Sequence, residues 1–294
     1  MKKLAFLPLF AALLLQVACG PDPEPDRNER IAQSDREIRD YLADNSIAAQ
    51  PEPNEDPPLV YYRLLEERPQ ARLAVTGSIV TIDYTGRLFD GTFLDSSAAG
   101  EPLTFVQGYV NVLQGVDRGV GLMREGERAD LFINAMAAYG ANSNAQIPAY
   151  SPVRFDVTLL KVQSELEAIE AAIVADTNAA AAVRLSSGIS YIPIDTGSGA
   201  RAVDGQSVEV AYKGSRLING CEFDQSSRFV FTVGAENIIE GFSAAVRELR
   251  PGGRARFYIP SDAAYRDRGT GTGNGCRPRP GDPLIFDITL KAIL

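Results

Sequence analysis

Histidine is absent from the 294 residues, and so is tryptophan. Without an imidazole the chain has no Ser-His-Asp or Cys-His nucleophilic machinery, no His-ligated zinc and no access to the commonest general base. Cysteine occurs three times, as Cys19, Cys221 and Cys276, and no two of them form the CxxC of a thioredoxin-like redox centre. Positive charge is in the minority, 29 Lys and Arg against 38 Asp and Glu, for a net charge of −9. That is the opposite of the basic patch a nucleic-acid partner requires, and an acidic balance also keeps an exposed protein soluble. No GxxxxGK[ST] phosphate cradle is present, and the glycine-rich stretch at 269–275 does not follow a strand-to-helix pattern. The expectation is chemistry without metal, cofactor or nucleic acid.

What is present begins with an address. Lys2 and Lys3 precede an apolar run from Leu4 to Leu15, too short to span a bilayer as a permanent helix and built like a secretory signal. Small residues then lead into Cys19 in the string LQVACG. The following GPDPEPDRNER is polar and proline-rich, the composition of an extended tether. Beyond it, a hydrophobic content of 45% and a charged content of 23% are those of globular domains.

The two halves of the chain repeat each other at a domain-sized interval. VTIDYTGRLFDGTFLDSS (Val80 to Ser97) matches VEVAYKGSRLINGCEFDQSS (Val208 to Ser227). QGYVNVLQGVDRGVGLMREGERADLFI matches VGAENIIEGFSAAVRELRPGGRARFYI, and VRFDVTLLKV matches LIFDITLKAI. The repeat sets one domain over 59–163 and a second over 185–294, leaving the signal over 1–18, the cysteine, tether and short helix over 19–58, and a helical linker over 164–184. Period-two alternation in VTIDYTG, ADLFI and RFDVTLLKV marks strands with one buried face. Ile238, Ile239, Phe242 and Val246 fall at near-helical spacing. Strands without long crossover helices predict an antiparallel sheet and an α+β fold. Ahead of each copy stands a helical segment. Arg27 to Asp44 gathers Ile31, Ile38, Tyr41 and Leu42 on one face, and Ser164 to Val183 opens with Ser164 and Glu167 at capping-box spacing. Spacer, packing element and dimer contact are open roles for the two, with spacer the expected one for the second.

The succession Y-x-G-x-L-x-(D/N)-G-x-x-(F/L)-D-x-S-S, G-x-x-x-(V/I)-(I/L)-x-G, AAY and FD(V/I)TL, found twice in the same order, resembles the FKBP-type prolyl isomerases. The resemblance implies two tandem domains, each an antiparallel five-stranded sheet wrapped around a short helix, with an apolar pocket between them. It implies cis/trans rotation of Xaa-Pro bonds in proline-containing polypeptides, no cofactor, and a macrolide as an allowed ligand. In the second copy the matching pocket positions are Tyr212, Phe223, Asp224, Phe229, Ile238, Ile239, Phe242, Tyr265 and Phe286. Phe223, Phe242 and Phe286 would form the apolar walls and floor, with Phe242 where the family usually has tryptophan. Asp224 would hold a polar network, while the Tyr265 hydroxyl and the Ile239 amide would bind substrate carbonyls. In the first copy the same positions are Tyr84, Leu94, Asp95, Leu103, Val112, Leu113, Val116, Tyr139 and Phe155. With Leu94 and Val116 in place of aromatic residues, this pocket is expected to be wider and to grip proline less well, making the second domain the better catalyst. Structural turn carboxylates are the rival reading for Asp95 and Asp224.

The start of the chain resembles bacterial lipoproteins, in which a cysteine so placed carries acyl chains. Lipidation of Cys19 would attach the protein to a membrane, with the outer membrane and a periplasmic or surface-facing orientation as the implied location; a cleaved signal with a chance cysteine is the alternative. Between Tyr265 and Phe286 the loop is longer than the family's usual one, and Arg266 stands where a glycine normally follows the tyrosine. Cys221 and Cys276 form an even pair in an exported chain, so a disulfide and two free thiols are both open. Three functions follow: an isomerase for exported proteins, a non-catalytic polypeptide-binding chaperone, and a scaffold lipoprotein of a surface assembly.

Overall fold

The computed structural model describes residues 26–109, 111–142, 144, 146–270 and 275–294. The signal segment and Cys19 lie outside the described residues. The chain enters through helix α1 (Arg27–Asp44), opened by a capping box in which the Asp26 side chain accepts from the Glu29 N–H and Glu29 reaches back to the Asp26 N–H. The first sheet then uses β1 (Gln50–Pro51), β2 (Val60–Glu66), β3 (Ile79–Leu88), β4 (Phe93–Ser96) and β5 (Leu103–Val106), followed by helix α2 (Gln114–Val120), β6 (Arg128–Ile133) and β7 (Val153–Gln163). Helix α3 (Glu165–Val174) leads to the second sheet: β8 (Val183–Arg184), β9 (Ser190–Asp195), β10 (Ser207–Arg216), β11 (Glu222–Thr232), helix α4 (Glu240–Arg247), β12 (Arg254–Ile259) and β13 (Leu284–Ile293).

The strand orders are β1-β2-β6-β7-β3-β4, with β5 also on β3, and β11-β10-β13-β12-β9-β8. Every pairing is antiparallel. Setting aside the two-residue edge strands β1 and β8, the domains share one topology, five strands around a short helix. They differ where β11 runs unbroken while its counterpart is split into β4 and β5. Alternation explains the sheets: Val153, Phe155, Val157 and Leu159 of β7 are buried, as are Leu284, Phe286, Ile288 and Leu290 of β13. Each such side chain contributes about 1.5–3 kcal/mol by leaving water. Each domain has its own core, into which the short helix is pressed. Gly115 and Gly241 allow that approach, since a Cβ would lie 2.1 Å from Ile133 at the first and 2.3 Å from Ile259 at the second.

The helical segments differ in part from their sequence reading. α1 keeps its expected bounds and packs on the first domain, with Ile38 and Leu42 against Tyr61 and Phe132. Its Ser34 hydroxyl accepts from the Ala135 N–H, and its Ile31 carbonyl accepts from Asn134. The second segment, expected as far as Val183, ends at Val174. Asp176 turns the chain there, accepting from the Asn178 N–H at 2.9 Å and from Arg256 at 2.7 Å. α3 also does more than space the domains. Ile169 and Ile173 pack with Ile192 and Tyr258 of the second domain, while Ala168 joins Ile79 and Val106 of the first. At α4, Ile239 is the N-cap and Ile238 precedes it, so these two residues form the turn into the helix.

Candidate functional site

Each domain holds a cavity between its sheet and its short helix. In the second domain it measures about 170 Å³ and is lined by Tyr212, Phe223, Asp224, Phe229, Asn237, Ile238, Ile239, Phe242, Tyr265 and Phe286. All nine positions singled out in that copy therefore meet around one space. β10 supplies Tyr212, β11 supplies Phe223, Asp224 and Phe229, α4 and its entry turn supply Ile238, Ile239 and Phe242, and β13 supplies Phe286. Tyr265 comes from the turn after β12.

The rings are mutually fixed. Phe242 meets Tyr212 edge-on at 5.3 Å and Phe286 at 5.2 Å, Phe223 meets Phe286 at 5.6 Å, and Tyr212 meets Phe229 at 5.7 Å. Such edge-to-face pairs each contribute about 0.5–1.5 kcal/mol beyond burial. They leave an aromatic lining around the cavity. The glycine of the Y-x-G motif explains how the rings come so close to the sheet. Gly214 pairs across the sheet with Phe286 on one side and Asp224 on the other. A Cβ there would stand 2.7 Å from the Phe286 ring and 2.8 Å from the Phe223 ring. Gly214→Ala is accordingly expected to displace both rings, cost about 1–3 kcal/mol of stability and weaken ligand binding in this cavity; thermal unfolding and peptide titration of the full chain check both effects.

The polar groups are few and directed. The Tyr212 hydroxyl donates to Asp224 Oδ2 at 2.5 Å. Burial, followed by this bond and the Asp224 charge, raises the hydroxyl's pKa above its ordinary value, so it keeps its proton. Burial likewise raises Tyr265, with the Asp224 charge adding to it. Neither the Tyr265 hydroxyl nor the Ile239 N–H bonds to another described residue, so two donors join Asn237 and the Tyr212–Asp224 pair in an otherwise apolar lining.

The first domain repeats this plan with a thinner lining. Its cavity, about 250 Å³, is bounded by Ile82, Tyr84, Asp95, Leu103, Asn111, Val112, Leu113, Val116, Tyr139, Phe155 and Arg279. The Tyr84 hydroxyl donates to Asp95 Oδ2 at 2.7 Å, and burial first, then that bond, raises its pKa. Tyr139 is raised by burial and by the Asp95 charge. Within the lining the ring contact is that of Tyr84 with Phe155, at 5.9 Å. Leu94 is the exception among the positions singled out: it packs on the core but does not line the cavity. A leucine lacks the reach of Phe223, whose ring lies over Gly214. At the equivalent Gly86 the nearest atoms all belong to Phe155.

Sequence reasoning missed Asn111, Asn237, Ile82 and Arg279. The asparagines carried a signal, because both copies place Asn two residues before Leu113 or Ile239, in VNVLQG and ENIIEG. Arg279 carried none, since it reaches the first cavity from the second domain. Cys221 and Cys276 are joined in a disulfide, with Cα atoms 5.3 Å apart. This ties the β10–β11 hairpin to the long loop before β13. Arg266 has φ +54°, in the left-handed region where glycine is preferred, and Gly140, which follows Tyr139 in the first domain, has φ +58°. Among the described residues no group of His, Cys, Asp or Glu is arranged to hold a metal ion.

Comparison with known proteins gives the same outline. The profile of the FKBP-type peptidyl-prolyl cis-trans isomerases matches residues 70–160 and 199–291. An FK506-binding protein of Neisseria meningitidis serogroup C is 43% identical over 91 residues, which cover 30% of this chain and 84% of that protein. A macrophage infectivity potentiator of Trypanosoma cruzi is 37% identical over 118 residues, 40% of this chain, and the match spans only 59% of that relative's length. Among solved structures, the three FKBP domains of wheat FKBP73 cover 84% of this chain, and 99% of the wheat chain is matched, with a TM-score of 0.39 and 19% identity. Two domains with one topology, a cavity in each and a family profile matched twice place this chain in the FKBP-type peptidyl-prolyl cis-trans isomerase family.

Proposed function

We propose that the chain is a peptidyl-prolyl cis-trans isomerase that assists the folding of exported proteins, with the second domain as its main catalyst. The observation that carries this reading is the second cavity, where six aromatic side chains surround a space with two uncommitted donors, Tyr265 and Ile239. Rotation about an Xaa-Pro bond faces a barrier of about 18–20 kcal/mol, because the amide loses its resonance on the way. The twisted amide has less charge separation than the planar one, so an apolar, water-poor lining favours it. Phe242, Phe286 and Phe223 would hold the prolyl ring, while the Tyr265 hydroxyl and the Ile239 amide would hold carbonyls. These contacts accelerate the reaction to the extent that they are stronger at the twisted geometry than at the planar one. A macrolide that presents a ring and carbonyls in the same arrangement is the expected competitor.

The first domain supports a second reading. Val116 stands in the place of Phe242, and three aromatic residues line the cavity instead of six. That composition favours polypeptide binding over turnover, so that the first domain retains a client while the second acts on its prolines. A scaffold role in a surface assembly would need neither cavity. Membrane attachment through a lipid on Cys19 places both domains on the envelope, the outer membrane in our reading. Incorporation of a labelled fatty acid into the exported chain is expected and should disappear in Cys19→Ser; incorporation that persists in the variant would remove the anchor.

The test of function is the refolding of a protein limited by proline isomerisation, a phase that takes tens to hundreds of seconds unaided. The full chain is expected to shorten that phase at substoichiometric amounts, and a macrolide to abolish the effect. No acceleration, with client binding retained, would make the chain a binding protein.

A further inference from the structure

The pocket tyrosine of each domain follows a short turn, and in both domains the helix ahead of the domain holds that turn. In the second domain the chain leaves β12 through a single 3₁₀ turn, Ser261–Ala263, before reaching Tyr265. The Ser261 carbonyl accepts from the N–H groups of Ala264 and Arg266, the two neighbours of Tyr265, each at 3.0 Å. Its own N–H donates to Glu165 Oε1 of α3 at 2.6 Å. The first domain repeats this with Ala135, whose carbonyl accepts from Ala138 at 3.1 Å and Gly140 at 2.9 Å, the neighbours of Tyr139. The Ala135 N–H donates to the Ser34 hydroxyl of α1 at 2.9 Å. Two helices of unlike sequence thus grip the same backbone group, four residues before the tyrosine in each copy.

The turns differ in what else secures them. Asn134 caps the first with its own side chain, accepting from the Met136 N–H at 3.1 Å. The second starts at Pro260, whose side chain makes no capping bond and whose ring nitrogen has no hydrogen to give. The acceptor that Asn134 supplies within the first domain has no counterpart on Pro260, which leaves the grip to Glu165. A carboxylate acceptor makes such a bond stronger than a neutral one would. Glu165 is in turn fixed by the first turn of α3. Ser164 and Glu167 close a capping box there, Glu167 accepts from Arg72 of the first domain at 2.9 Å, and Ile169 and Ile173 pack on the second domain. The turn also leans on the start of α4, where a Cβ at Gly241 would lie 2.8 Å from the Ala263 carbonyl.

We propose that Glu165 is a positioning residue for the second domain's prolyl site, holding through the Ser261 N–H the turn that presents the Tyr265 hydroxyl to a substrate carbonyl. The linker helix is then part of the second site, although it touches no substrate. This rests on the reading of the second cavity as an isomerase site.

The experiment is a double-mutant cycle in the full chain. Glu165→Ala and Tyr265→Phe, alone and combined, are compared by their acceleration of cis/trans exchange over a range of Xaa-Pro peptide concentrations. Each single variant is expected to lower kcat/KM by about five- to tenfold, the effect of one directed hydrogen bond, and mostly through kcat. The combined variant should fall within about twofold of Tyr265→Phe alone, because Glu165 acts through a hydroxyl already removed. Glu165→Gln, which keeps an acceptor oxygen, should return turnover to within about twofold of the parent. Hydrogen exchange at the Ser261 amide should quicken in Glu165→Ala and stay near the parent in Glu165→Gln. Thermal unfolding of each variant reports whether the second domain is folded. Glu165→Asp, which only shortens the reach by one methylene, carries the same non-additivity test if the alanine variant does not fold. Turnover unchanged in a folded Glu165→Ala, or losses that multiply in the combined variant, would overturn the role of Glu165 and leave the isomerase reading standing. A parent chain that binds the peptide without speeding its exchange would overturn that reading and the positioning role with it.

Discussion

Asp282→Ala is expected to destabilise the second domain by about 3–5 kcal/mol, the usual consequence of removing one partner from a buried ion pair. Arg216 Nε donates to Asp282 Oδ2 at 2.6 Å and Arg216 Nη2 to Oδ1 at 3.2 Å, and the two side chains are 4% and 1% exposed. The alanine variant leaves the guanidinium without its counter-charge in a place water hardly reaches. It also takes the acceptor from the Arg279 N–H, so the loop that carries Arg279 loosens with it. For a domain of this size each kcal/mol shifts Tm by about 4–8 °C, so differential scanning of the full chain should show the second domain's transition falling by more than about 10 °C. Replacing both partners with apolar residues, Arg216→Met with Asp282→Leu, should recover most of the loss, because no charge is then stranded. A single variant that melts within a few degrees of the parent would show that the pair is not buried in solution.

The second large effect concerns turnover. Phe242→Leu is expected to lower kcat/KM for a prolyl peptide by about 30- to 100-fold, equivalent to about 2–3 kcal/mol of transition-state stabilisation. Phe242 is 4% exposed and makes edge-to-face contacts with Tyr212 and Phe286. Its loss removes an aromatic face from the cavity and releases the neighbours that shape the rest. Leucine keeps a branched apolar side chain in the core, so the stability cost should stay below the 3–5 kcal/mol of a Phe→Ala truncation. Measuring Tm beside the rate separates the two effects. A variant that folds and turns over like the parent would exclude Phe242 as the floor of a catalytic pocket.

How much of this was legible in the sequence depends on the range of the contact. The Tyr212 hydroxyl reaches Asp224, and the Tyr84 hydroxyl Asp95, diagonally across a single hairpin, so short-range spacing carries their meeting, and the repeat displays it twice. Phe286 and Phe155 lie far along the chain, yet strand alternation fixes which way they point once β13 and β7 are placed beside the glycines of β10 and β3. The end of α3 was not legible. Its alanine-rich continuation has good helix propensity, and the chain turns at Asp176 because of Arg256, which is remote in sequence and meets it only in the folded domain. Leu94 shows the limit of carrying a role by position: the backbone site is equivalent to that of Phe223, but the shorter side chain does not reach. Arg279 is hidden for a deeper reason. A contact between domains leaves no periodicity or motif in either, and a glycine- and proline-rich loop with four arginines reads as solvent-facing until its docking partner is known.

The central claim is that the second domain's cavity accelerates prolyl isomerisation. It is tested most directly by exchange NMR on a short Xaa-Pro peptide in the presence of the labelled full chain, reading peptide cis/trans exchange and protein shifts in one sample. The account predicts faster exchange, saturable shifts at Gly214, Ile239 and Tyr265, weaker ones at Gly86, Leu113 and Tyr139, and loss of the acceleration when a macrolide occupies the second site. Unchanged exchange despite saturation of the second cavity, or acceleration that persists with that cavity blocked, would contradict it.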